Sequence, residues 1–144
     1  MTTKQSEFRM TRTVQFHETD AAGIVHFSCY FRYMEEAEHA FWRSVGLSVA
    51  PPDTPYGWPR VAVSCDYRNP LRFEDEVEIH LRVVAMAGRT LTYACQMSLG
   101  STVVANLSMT TVCVTRSGPG QTMKAAALPA ALRDRLEVAP HVVS

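Results

Sequence analysis

The stretch His17-Glu18-Thr19-Asp20-Ala21-Ala22-Gly23-Ile24-Val25-His26-Phe27 gathers two imidazoles, two carboxylates and a glycine just ahead of an aromatic-rich segment. Asp20 and Gly23 fall in a short connection between a strand and the start of a helix. Unpaired main-chain N–H groups and the helix dipole favour developing negative charge there, so such a connection can serve as an oxyanion hole. A thioester needs little more than one carboxylate and such donors, because its carbonyl is weakly resonance-stabilised and its thiolate leaves readily. Each residue also has a purely structural reading. Asp20 suits a turn or a helix cap. Gly23 suits a positive φ angle, or a close approach of an acyl group to the backbone. His26 is either an accessory acid or a residue lining the mouth of a pocket.

Other chemistries find less support. His17, Glu18, Asp20 and His26 are metal-ligand types, but no recognised ligand spacing joins them. Cys29 near a helix start could act as a nucleophile, yet it lacks a clear base partner. Cys65, Cys95 and Cys113 fall in apolar strand patterns and read as buried free thiols; no C-x-x-C pair occurs. There is no G-x-S-x-G of a serine hydrolase.

The elements that must position Asp20 follow from periodicity. Thr11 to Phe16 reads as a first strand, with Val14 and Phe16 on one face. From Phe27 onward, Tyr30, Phe31, Met34, Ala37, Phe41 and Val45 recur at helical spacing, with Arg32, Glu35, Glu36, His39 and Arg43 opposite them. Gly46 is placed to close that helix. Ser48 to Arg60 holds Pro51, Pro52, Pro55 and Pro59 and must be a loop, placed to act as a plain connection or as a lid. The period then becomes two, through Val61–Tyr67, Val77–Val83, Leu91–Leu99 and Val103–Cys113, with short turns at Gly88-Arg89 and Gly100-Ser101. Ser117 to Gln121 is a flexible joint, and Pro129 opens a short last helix. The expected architecture is α+β, one antiparallel sheet covering the apolar face of one long helix.

A chain of 144 residues is sized for one domain, residues 1–144. Lys and Arg total 14 and Asp and Glu total 14, so no net field draws the chain to nucleic acid or an anionic membrane, and an anionic ligand must be held by local arginines. No signal-like or membrane-spanning run is seen, which predicts a cytoplasmic protein.

The run T-D-A-A-G-I-V-H-F, followed by the aromatic-rich helix, resembles the 4-hydroxybenzoyl-CoA thioesterase family of hotdog proteins, whose signature is Asp-x-x-Gly-hydrophobic-Val. The likeness extends from Arg12 to Val114, includes Tyr67 to Asp75, and takes in Gly120 to Leu136 as the family's tail. It implies a five-stranded antiparallel sheet wrapped around one long helix, with a short C-terminal helix. It implies hydrolysis of an aryl- or fatty-acyl-CoA, with Asp20 as nucleophile or general base. Gly23, Val25, His26 and Phe27 would then form the oxyanion and substrate-binding segment, with the Phe27 N–H polarising the carbonyl. Arg89 and Thr90 match positions that hold coenzyme A phosphates in relatives. No metal and no cofactor beyond the substrate's own CoA is implied. A homodimer or homotetramer with sites between subunits is. Two rivals remain. One is a hotdog enoyl-CoA hydratase or dehydratase, whose Asn-Pro-x-His setting is missing around Asp20. The other is a non-catalytic acyl-binding module.

Overall fold

The computed structural model describes residues 3–116, 118, 120 and 122–140. Five strands, β1 (Glu7–Thr13), β3 (Arg60–Tyr67), β4 (Glu76–Ala87), β5 (Thr90–Leu99) and β6 (Thr102–Val112), form an antiparallel sheet in the order β1-β4-β5-β6-β3. The long helix α1 (Cys29–Ser44) packs on one face of it. A smaller sheet joins β2 (Tyr56–Gly57), β7 (Val114–Thr115) and β8 (Lys124–Ala125), and α2 (Ala130–Arg133) follows Pro129. This is the hotdog arrangement, α+β with one sheet curled around one helix.

Alternation decides the central strands. Val77, Ile79, Leu81 and Val83 of β4 and Leu91, Tyr93, Cys95 and Met97 of β5 point to the helix side and are buried against Tyr33, Met34, Ala37 and Phe41 of α1. Gly88 and Gly100 take positive φ at the two hairpin turns. The helix closes as a Schellman motif: Gly46 at φ +81° donates to Arg43 O at 3.0 Å, and Leu47 donates to Trp42 O at 2.8 Å.

Four expectations need correction. The first strand lies earlier than Thr11–Phe16: Phe8 and Met10 extend the alternation backward, Phe8 stacks on Phe41, and Phe16 instead sits 74% exposed in a 3₁₀ turn, Phe16–Glu18. The helix starts at Cys29, so Phe27 precedes it and is 63% exposed. Cys65 is half-buried rather than buried, because β3 is an edge strand. The proline-rich loop is not wholly irregular, since Tyr56 and Gly57 pair with Thr115 and Val114. Gly118 and Gly120 of the glycine-proline joint are described; Ser117, Pro119 and Gln121 lie outside the described residues. Among the described residues no helix is long and apolar enough to cross a membrane.

β3 has only β6 beside it. Val63, Cys65 and Tyr67 pair with Met109, Leu107 and Ala105 and so point to the helix side, where α1 covers them only in part, Tyr30 meeting the Tyr67 ring edge-on. Val63 and Tyr67 are about half exposed as a result. The sheet therefore ends in an unpaired edge whose inner surface is apolar.

Candidate active site

Chain direction and hydrogen bonds build the Asp20 loop from both ends. Past β1, Val14 N–H donates to Asp75 O at 2.9 Å, and the 3₁₀ turn brings Glu18 inward. Thr19 then bridges to Val25, Asp20 N–H donates to Ile24 O at 2.8 Å, and Gly23 N–H returns to Asp20 O at 3.0 Å. The loop is a tight turn, and Gly23 sits in it at φ +80°. A Cβ there would meet nothing within 4 Å, so the turn demands glycine for its backbone angle and not for close packing.

Asp20 performs the turn role anticipated for it and keeps half of its carboxylate spare. Its Oδ1 accepts the Ala22 N–H at 2.8 Å and lies 3.5 Å from the Ile24 N. Among the described residues Oδ2 has no partner. The side chain lines a cleft of about 460 Å³, with Ile24, Phe27 and Tyr30 from its own side and Tyr67 and Asn69 from the end of β3.

The main-chain donors beside Asp20 are not equivalent. Val25 N–H is committed to Leu71 O at 2.8 Å and His26 N–H to Glu18 O at 2.8 Å. The His26 carbonyl accepts the Cys29 N–H at 2.9 Å, which directs that carbonyl toward α1. Across a trans peptide the N–H points opposite to the carbonyl, so the Phe27 N–H faces away from the helix, and among the described residues nothing accepts it. Tyr67 fixes the same residue from the other side, its hydroxyl donating to Phe27 O at 2.8 Å. Burial, with help from the Cys65 thiol, pushes the Tyr67 phenol up to about 12, so it stays a donor at neutral pH. Of the four main-chain segments expected to hold an oxyanion, Phe27 offers the unspent donor. The His26 ring turns to Ser28 instead, Nδ1 lying 2.8 Å from its Oγ.

Glu18, a metal-ligand type by sequence, is the anchor of the loop in the structure. It is 8% exposed. Its Oε1 accepts from the Arg12 guanidinium, from the Gln15 N–H at 2.7 Å and from the Tyr33 hydroxyl at 2.8 Å, while its carbonyl clasps His26 N–H. Burial alone would raise this carboxyl, but those three donors hold it below the ordinary range. The available signal was Arg12 on β1 and Tyr33 on the apolar face of the helix, polar groups that cannot be buried without a counterpart. Among the described residues no three His, Cys, Asp or Glu side chains converge on a metal-sized site.

Arg89 and Thr90 are not brought to this cleft within one chain. Tyr67 is level with Ala105 and, through it, Met97. Thr90 lies at the other end of β5, roughly 23 Å away at 3.3 Å per residue.

A second cleft of about 320 Å³ opens where β3 begins, beside Glu35, Glu38, Trp58 and Arg60. Glu38, also missed, faces the interior at 1% exposure, and both its oxygens are taken by Arg60 at 2.6 and 3.2 Å. Glu35 pairs with Arg60 at 3.1 Å and Glu36 with Arg12 at 3.3 Å.

The fold agrees with that of similar proteins. Residues 14–136 match the thioesterase-like superfamily, and the chain belongs to it. It is a thioester hydrolase of that superfamily. A solved structure of an Aquifex aeolicus protein superposes with TM-score 0.82 at 33% identity, covering 90% of this chain and 99% of that one. A gentisyl-coenzyme A thioesterase superposes with TM-score 0.77 at 25% identity, covering 87% and 98%. A 1,4-dihydroxy-2-naphthoyl-CoA hydrolase of Parasynechococcus marenigrum is 30% identical over 114 residues, 73% of this chain and 75% of that protein.

Proposed function

We propose that the chain hydrolyses an acyl-CoA, an aryl acyl-CoA foremost, in the cleft between Asp20 and Tyr67. The observation that carries this reading is the meeting, in one cleft, of a carboxylate with an unspent oxygen and the uncommitted Phe27 N–H. The thioester carbonyl oxygen sits on the Phe27 N–H. Asp20 either removes a proton from water, so that hydroxide adds to the carbonyl carbon, or adds directly to form an acyl anhydride that water then cleaves. In both routes charge gathers on the carbonyl oxygen, the CoA thiolate departs, and free acid and CoA result. Phe27, Tyr30 and Tyr67 form walls suited to a flat acyl group, in keeping with the aryl substrates for which two of the relatives are named.

The working unit in this reading is a homodimer, which can pair further into a tetramer. An unpaired apolar edge such as β3 invites another strand. Antiparallel pairing with a second copy of β3 would continue the sheet and set that copy's β4–β5 turn, with its Arg89 and Thr90, toward this cleft. Val63→Glu should then shift the chain to monomer in sedimentation and lower turnover together.

Thiol release across a panel of aryl and aliphatic acyl-CoAs, on wild type and Asp20→Asn, tests the chemistry. Loss of a positioned base or nucleophile predicts a fall of roughly 100-fold or more. An unchanged rate removes Asp20 from the mechanism.

A further inference from the structure

Hydrolysis in the Asp20 cleft leaves the His26 side chain without a task. Its main chain is fixed without help from the ring: the N–H donates to Glu18 O at 2.8 Å, and the carbonyl accepts the Cys29 N–H at 2.9 Å. The residue is exposed, so water could serve both ring nitrogens and burial demands no partner for them. The ring is held nonetheless. Nδ1 lies 2.8 Å from Ser28 Oγ and accepts the Ser28 N–H at 3.3 Å. A main-chain N–H can only donate, so Nδ1 carries no proton, the Ser28 hydroxyl donates to it as well, and the ring proton sits on Nε2.

Ser28 forgoes a different bond to do this. It is the N-cap of α1, where a serine side chain ordinarily accepts an N–H of the first turn, yet it makes no capping bond. The hydroxyl that could close the helix is turned to the imidazole. That imidazole in turn lies against the Phe27 ring, with centroids 4.5 Å apart and planes tilted by 33°. Phe27 precedes the helix and is largely exposed, so core packing does not fix its side chain. It is nevertheless a wall of the Asp20 cleft.

We propose that Ser28 and His26 form a positioning pair: they hold the Phe27 ring at one angle and so give the cleft a flat wall that favours aryl over aliphatic acyl groups. The proposal rests on the acyl-CoA reading above, and it divides the loop by task. Main-chain bonds to Glu18 and Cys29 set the Phe27 N–H, and the His26 side chain sets the Phe27 ring. A flat acyl group needs that wall at a fixed angle, whereas a flexible chain reshapes to meet it, and this difference is the source of selection. His26 moves no proton in this account.

Two measurements decide it. The first is steady-state kinetics on a benzoyl-CoA and on a short aliphatic acyl-CoA, with wild type, His26→Ala, His26→Phe and Ser28→Ala. Loss of the aromatic neighbour predicts about fivefold higher KM for the aryl substrate in His26→Ala, with kcat and the aliphatic KM within about twofold of wild type. His26→Phe keeps a ring against Phe27 and should bring the aryl KM back to within about twofold. Ser28→Ala should raise that KM about threefold and leave the melting temperature unchanged, because no cap is lost. A fall in kcat on both substrates that His26→Phe does not repair would make the imidazole an acid, and equal KM changes for the two acyl groups would remove it from selection; either result overturns the proposal. The second is nitrogen-15 NMR of the imidazole in mildly alkaline buffer, which needs no turnover. It should find the proton on Nε2 and a His26–Phe27 contact that weakens in Ser28→Ala; a proton on Nδ1, or a contact indifferent to Ser28, contradicts the pairing. If wild type cleaves neither thioester the hydrolysis reading fails, and the spectra still decide whether Ser28 and His26 hold the ring.

Discussion

Two clefts flank the inner face of β3, and each holds a carboxylate supplied by the α1 side: Asp20 near Tyr67, Glu38 near Arg60. Glu38 has both oxygens taken by one guanidinium and is closed off from solvent. Asp20 spends one oxygen on its own turn and keeps the other, and it lines the same cleft as Phe27, whose main-chain N–H nothing accepts among the described residues. The contrast separates structure from chemistry. Where every polar group is paired, the charge links elements together, here helix to edge strand. Where a carboxylate and a donor stay unpaired at the rim of one cleft, they are available to a substrate.

That contrast breaks if the two carboxylates respond alike to neutralisation. Against the loss of 100-fold or more in turnover predicted for Asp20→Asn, Glu38→Gln should keep kcat within a few-fold and lose stability instead. Breaking a buried pair costs about 3–5 kcal/mol; since Arg60 is a quarter exposed and retains Glu35, roughly 2–3 kcal/mol is expected in chemical denaturation. Strong loss of kcat with unaltered stability in Glu38→Gln would move the active site to the second cleft.

Glu18 sharpens the comparison, being buried like Glu38, though less completely, but tied to the Asp20 loop. Glu18→Gln should lower kcat about tenfold with KM little changed, because loosening the clasp on His26 misplaces Phe27 without altering the cleft walls. Its folded-state value is depressed below the ordinary 4.5. The stability it adds is therefore fully present above the unfolded value and is lost as pH falls through the lower folded one. Wild type and Glu18→Gln should accordingly differ in thermal stability near neutrality and converge in acid.

The smallest effect belongs to Tyr67→Phe. It removes one hydrogen bond from Phe27 O and keeps the ring that meets Tyr30 edge-on at 5.0 Å. At about 1 kcal/mol for such a bond, kcat should fall about fivefold, with an unchanged melting temperature. A fall as large as that of Asp20→Asn would make the phenol itself a participant.

What could be read from residues alone was what repeats. Val77 to Val83 and Leu91 to Leu99 alternate cleanly because both strands are central and covered on one face by α1. Edges and ends were harder. Val63 and Tyr67 carry the same alternation as the central strands, yet their burial depends on what lies beside β3, which no local pattern records. Phe27 matches the helical spacing but precedes the helix, since an apolar residue looks the same on either side of a first turn. Glu18 shows in the sequence only as a ligand type and Glu38 carries no signal of its own; the long-range positions of Arg12, Tyr33 and Arg60 reveal both as buried anchors. The family motif brought Asp20 and Phe27 together on paper. Which N–H near Phe27 is unspent depends on Leu71 and Glu18 carbonyls delivered by the fold. Arg89 likewise matched by position while standing at the opposite end of the sheet.

A crystal structure of the chain with an uncleavable analogue, the thioester sulfur replaced by methylene to give a ketone, tests the central claim most directly. The account predicts the ketone oxygen within hydrogen-bond distance of Phe27 N and the free oxygen of Asp20 facing the carbonyl carbon. A ketone lodged beside Glu38 and Arg60, or one whose oxygen meets no main-chain donor near Asp20, would contradict it.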